Sequence, residues 1–187
     1  MTLEERFQTL SRHRQAHAER VAAVMRALAQ QHHLDEELAW FGGWAHDLAR
    51  EMSRPALLAE AETLGIVIGP EEQAEPLLLH GPIAAKWVER AGRGTPQVLE
   101  AIRYHTTGAA NLGPLAQALF IADGVEPGRR YALREALYLQ ALEDLNGGYC
   151  AVLKNTQAYL LSRGLAPHPD MVRALDQCTA GTVQDTH

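Results

Sequence analysis

The chain has 187 residues, is 47% hydrophobic and 21% charged, and carries a net charge of −6 from 17 basic and 23 acidic residues. That apolar content supports one globular domain and excludes a disordered or collagen-like chain. The acidic balance speaks against capture of a nucleic-acid backbone, which wants a basic face.

No apolar run approaches the ~20 residues that span a bilayer. The opening Met1-Thr2-Leu3-Glu4-Glu5-Arg6 is acidic and helical rather than a secretory signal. Two cysteines, Cys150 and Cys178, are too few for a disulfide framework, so the expected location is cytoplasmic. Fifteen of the basic residues are arginine, a bias to which no function is attached.

Apolar residues recur at helical spacing almost throughout and β-branched runs are scarce, which predicts an all-α fold. His13 to His33 reads as one long helix. Asp35 caps a second, running to His46. Ser53-Arg54-Pro55 starts a third that ends before Gly65. Gly65 to Pro76 reads as a loop with a short helical turn. A fourth helix begins at His80-Gly81-Pro82 and stops at Ala91-Gly92, and Thr95-Pro96 opens a fifth that ends near His105. Leu115 to Asp123 forms a sixth, broken by Gly124 and Pro127-Gly128. Further helices are expected over Ala132–Glu143, Leu145–Arg163 and Pro169–Asp176. Residues 1–177 then make one domain, and 178–187 a frayed tail.

The nine histidines are placed selectively. His17 shares a helix face with Val21, Val24 and Leu28, and His80 one with Ile83, Ala84 and Trp87. His105 closes the stripe Val98, Ile102, and Asp123 closes Leu112, Ala116, Leu119. His46 follows Ala39 and Gly43 at the same spacing, with Asp47 beside it. A single histidine on an apolar face is usually a satisfied core residue. Four histidines and two aspartates converging on one interior are costly unless a cation joins them. His13, His32, His33, His168 and His187 fit no stripe and read as surface or capping residues.

Absences narrow the chemistry. There is no His-Glu-x-x-His, no Glu-x-x-His, no P-loop and no G-x-G-x-x-G. The two cysteines stand too far apart for a Cys-x-x-Cys zinc element.

Five segments carry a resemblance: His13-Arg14-Gln15-Ala16-His17, Ala45-His46-Asp47-Leu48-Ala49-Arg50, Leu79-His80-Gly81-Pro82, Tyr104-His105-Thr106-Thr107-Gly108, and Ala122-Asp123-Gly124-Val125-Glu126-Pro127-Gly128-Arg129. An H…HD…H…H…D order resembles the HD-domain metal-dependent phosphohydrolases, a helical-bundle superfamily. The set is most similar to their YqeK-type branch, the symmetrical bis(5′-nucleosyl)-tetraphosphatases. The resemblance covers residues 13 to about 165.

This resemblance implies a dinuclear metal site. His17, His46, Asp47 and Asp123 would hold one ion and His80 with His105 the second, bridged by Asp47. The family favours iron, and imidazole with carboxylate also suits manganese, zinc or nickel. Attack of a metal-bridging hydroxide on phosphorus would cut diadenosine tetraphosphate into two ADP, with Asp47, His80 and Arg14 as the catalytic set. Arg14, Arg50, Thr106, Thr107, Gly108, Glu126 and Arg129 match positions expected near phosphates and nucleotide. Departures are Arg50 where the family has lysine, Gly124 where it carries a larger residue, and an arginine missing near Tyr138, the nearest being Arg134.

The expected partner is a small-molecule nucleotide, with neither nucleic acid nor membrane, and a homodimer stays open. Competing readings are another nucleotide phosphohydrolase of nucleotidase type, a non-catalytic metal–nucleotide sensor, and a plain helical interaction module.

Overall fold

Most helices begin where the sequence offers a side-chain oxygen or a proline; α6 and α9 have neither. In the computed structural model, which describes residues 1–182, Thr2 forms a capping box with Glu5 at the head of α1 (Leu3–Thr9). Ser11 caps α2 (Arg12–Gln31), Asp35 caps α3 (Glu36–Ala45) and Ser53 caps α4 (Arg54–Thr63), which has Pro55 in its first turn. The expected loop after Gly65 holds a short α5 (Pro70–Ala74) and a 3₁₀ turn (Pro76–Leu79). Then follow α6 (His80–Arg90), α7 (Pro96–Tyr104), capped by Thr95, and α8 (Pro114–Val125). The last helices of the described residues are α9 (Arg134–Glu143), α10 (Leu145–Ser162) and α11 (Pro169–Thr182). Among the described residues there is no strand, so the fold is all-α.

The helices enclose one continuous apolar core. Its most extensive contact is between α2 and α3. Gly43 makes that contact close: a Cβ there would lie 2.6 Å from the Ala22 Cα, so any larger residue would push the two helices apart. Next, α8 packs on α2 and α7, and α6 packs on α7. The ends of α3, α6, α7 and α8 are thereby gathered beside the first half of α2.

Three features depart from the sequence reading, the smallest being that α8 runs through Gly124 to Val125 instead of breaking there. Cys150 on α10 and Cys178 on α11 are joined by a disulfide, with Cα atoms 5.8 Å apart, so the cysteine count no longer argues for a reducing compartment. In addition, α11 runs beyond Asp176 to Thr182, through the start of the expected tail. Met171, Ala174 and Leu175 bury one face of α11 and Cys178 pins its far end, which favours continued helix. Residues 183–187, with His187, lie outside the described residues. No helix among the described residues is long and apolar enough to cross a membrane.

Candidate metal centre

His46 is the C-cap of α3, His105 the C-cap of α7, and His80 the first residue of α6. At such termini the backbone leaves carbonyls within reach of a side chain. Each imidazole uses one: His46 Nδ1 lies 2.6 Å from the Gly43 carbonyl, His80 Nδ1 2.5 Å from Leu77, and His105 Nδ1 2.7 Å from Ile102. A carbonyl has no proton to give, so Nδ1 is the donor and Nε2 of the neutral ring is left with a bare lone pair. His17, inside α2, directs Nδ1 instead to Glu126 Oε1, 3.1 Å away.

The four Nε2 atoms surround the buried carboxylate of Asp47. Oδ2 is 3.6 Å from His17 Nε2 and 3.4 Å from His46 Nε2. Oδ1 is 3.3 Å from His80 Nε2 and 3.6 Å from His105 Nε2. Asp123 Oδ1 approaches His17 Nε2 at 3.1 Å and receives Arg129 Nη2 at 2.8 Å. Asp47 therefore has one oxygen toward each pair of histidines.

This packing makes little sense without a cation. The Nε2 atoms of His17 and His46 are buried with no hydrogen-bond partner. Those of His80 and His105 face each other at 2.9 Å, two lone pairs beside an anion. Burial by itself would raise the Asp47 carboxyl; without a cation, only protonated imidazoles, His46 with His105 and His80, could override it and hold it well below the usual carboxylate range. Asp123 is held low in the same way, by His17, His46 and Arg129 against its burial. Burial drives the His105 imidazole down, which keeps it neutral and able to ligate. Two carboxylates and four imidazoles, without thiolate, fit divalent transition-metal ions, and subsets of these atoms lie within 4.8 Å of one another.

Two clefts open onto the cluster. One, of about 280 Å³, is lined by Arg14, Arg50, Glu75, Leu77 and Leu78. The other, of about 670 Å³, is lined by Phe120, Tyr131, Val152, Asn155, Thr156 and Tyr159. They share His105, Thr106, Asp123 and Arg129. Arg14 Nη1 binds Asp47 Oδ2 at 2.8 Å, and the Thr106 hydroxyl reaches the Nε2 atoms of His80 and His105 at 3.3 and 3.2 Å.

Of the residues expected near substrate, Arg14, Arg50, Thr106 and Arg129 thus stand at the clefts. Three others do not. Thr107 lines a separate small cavity with Tyr104 and His168. Gly108 is buried at φ +63°, where a Cβ would sit 2.9 Å from Leu153 Cδ2 and from the Tyr149 hydroxyl, so glycine there serves chain direction and packing. Glu126 is 2% exposed and faces His17, Arg20 and the Gly128 amide, away from both clefts. Arg20 was missed from sequence although it stands three residues after His17, on an adjacent part of the same helix face. The aromatic wall of the larger cleft carries no local signal. Gly124 lines that cleft, and a Cβ there would meet Val152 Cγ1 at 3.0 Å, so glycine leaves the space open. Arg134 is spent on the Val125 carbonyl, 3.1 Å away.

The family model of the HD domain matches residues 14–128. The chain belongs to the HD-domain family. The HD match contains all six candidate ligands and ends before α9. A symmetrical bis(5′-nucleosyl)-tetraphosphatase of Halalkalibacterium halodurans is 33% identical over 90% of both chains. One of Bacillus subtilis is 29% identical over 94% of both. A protein of Clostridium acetobutylicum, described as a predicted HD superfamily hydrolase involved in NAD metabolism, has a crystal structure that superposes with a TM-score of 0.88 at 28% identity over 93% of each chain. The HD likeness therefore extends past the matched domain, through the helices that wall the larger cleft.

Proposed function

We propose that this chain hydrolyses diadenosine tetraphosphate and related dinucleoside polyphosphates symmetrically, to two nucleoside diphosphates. The observation that carries the reading is the junction of two clefts at one His/Asp cluster, in a chain whose relatives are named for that reaction over nine-tenths of its length. A substrate with a nucleoside at each end needs room on both sides of the reacting phosphate. The larger cleft, with Phe120, Tyr131 and Tyr159, offers faces on which a base can stack.

His17, His46, Asp47 and Asp123 would hold one ion, and Asp47, His80 and His105 a second, with iron the expected metal. Bound there, two divalent ions supply Lewis-acid charge neutralisation and acidify water. The side chains do the rest. Asp47 ties the two ligand groups together through its two oxygens. Arg14, Arg50 and Arg129 offset polyphosphate charge and hold its oxygens by guanidinium hydrogen bonds. Thr106 presents a hydroxyl at the point where the clefts meet. Symmetrical cleavage follows if one half is seated so that its second phosphate lies over Asp47, with a nucleoside diphosphate as leaving group. We assign the reaction to the cytoplasm, the compartment of free nucleotides, although a Cys150–Cys178 disulfide is unusual there.

Chromatography of products from the full chain, purified without chelator in the absence of air, tests this. ADP alone is the expected result. AMP with ATP would place the substrate one phosphate out of register. No reaction here with brisk hydrolysis of a nucleoside monophosphate would favour a nucleotidase, which needs only one cleft.

A further inference from the structure

Three of the four histidines around Asp47 take their orientation from the carbonyl three residues earlier in their own chain. His17 has no such option, because it lies inside α2, where carbonyls already accept from the amide four residues on. Its acceptor comes from 109 positions away, the buried carboxylate of Glu126. Both oxygens of that carboxylate are taken. Oε1 receives His17 Nδ1 at 3.1 Å and Arg20 Nη2 at 3.3 Å. Oε2 receives Arg20 Nε at 2.5 Å and the Gly128 amide at 2.5 Å. Gly128 is fitted to this clamp: a Cβ there would lie 2.5 Å from Arg20 Nη2 and 2.8 Å from Glu126 Oε1.

We infer that Glu126, held by Arg20 and the Gly128 amide, is the positioning residue for His17. It keeps the proton on Nδ1, aims Nε2 at Asp47 and Asp123, and makes the His17 side the tighter of two cation positions. The reason is chemical. An ionised acceptor enriches the imidazole as a donor more than the neutral carbonyls behind His46, His80 and His105 do. The inference rests on the two-ion reading of the cluster.

Glu126→Gln gives a sharp test, because an amide has one acceptor end. The stronger donors, Arg20 Nε and the Gly128 amide, claim that oxygen, which turns the NH₂ group toward His17 Nδ1. The imidazole must then accept at Nδ1 and carry its proton on Nε2, where it blocks ligation. Titration of metal-free full chain with Mn²⁺, following free Mn²⁺ by electron paramagnetic resonance, reads the affinities. ¹⁵N spectra of histidine-labelled, metal-free protein read the tautomer.

Wild type should bind two ions unequally and show His17 protonated on Nδ1. Glu126→Gln should weaken the tighter ion by ~10–100-fold, leave the other unchanged, and move the His17 proton to Nε2. Arg20→Met, which leaves the carboxylate but frees it, should shift the tighter ion in the same direction by less, and it decides the matter should Glu126→Gln not fold. Equal weakening of both ions, or an unmoved tautomer with unchanged binding, overturns the assignment. Wild type that binds no Mn²⁺ overturns the two-ion reading instead.

Discussion

Helices α2 to α8 and helices α9 to α11, of which α10 lines the larger cleft, are held by different means. The first group carries all six candidate ligands, and three of its four ligand histidines are oriented by carbonyls of the immediately preceding turn. The second carries none of those ligands. Several of its large apolar side chains are exposed, among them Leu133, Leu139, Tyr159 and Leu161. The Cys150–Cys178 disulfide ties α10 to α11 within it, and it is joined to the first group by the shared apolar core and by Tyr149, whose hydroxyl accepts from the Ala109 amide at 3.1 Å and donates to the Ala109 carbonyl at 2.9 Å. Burial pushes that phenol up to about 12, so the donated proton stays on Tyr149. All six candidate ligands sit in the first group, while α10 of the second supplies part of the wall of the larger cleft, and both share one apolar core.

The largest effect should come from the centre of the first group. Asp47→Asn is expected to reduce turnover to the assay background and to lose at least one ion by elemental analysis, since a neutral amide cannot balance two dications. Substantial activity with both metals bound would remove Asp47 from its place between the ligand sets.

A smaller and different effect should follow from opening the disulfide. Cys150→Ser, or reduction of wild type, frees a loop with a sequence separation of 28, which chain entropy values at about 3–4 kcal/mol. Thermal unfolding with and without reductant should show the drop in Tm, while metal content stays at the wild-type level. Loss of metal on reduction would mean that the two groups of helices fold and bind as one unit, and the contrast would fail.

The smallest effect is expected at His168, near the start of α11. Its Nδ1 accepts from the Asp170 amide at 3.1 Å and its Nε2 lies 3.3 Å from Glu72 Oε1, the capping role its position suggested. His168→Ala should cost about 1 kcal/mol in denaturant unfolding and leave turnover as in wild type. A fall in turnover comparable to that of Asp47→Asn would extend the functional site into α11.

Helix starts and the inward faces of α2, α6, α7 and α8 were legible from sequence, because caps, prolines and 3.6-residue spacing act over a single turn. His17, His46, His80 and His105 are buried as their stripes predict, and Asp123 lies half-buried at the cleft. Tertiary structure alone decided what each face meets. Helical phase says which way a residue points but not what comes from a hundred positions away to meet it. That is why Glu126, expected beside phosphate, is behind His17, why Gly108 serves packing against Tyr149 and Leu153, and why Cys150 finds Cys178. The two oxygens of Asp47 could be divided between two pairs of histidines only by folding, since four separate elements must converge before a carboxylate has anything to bridge.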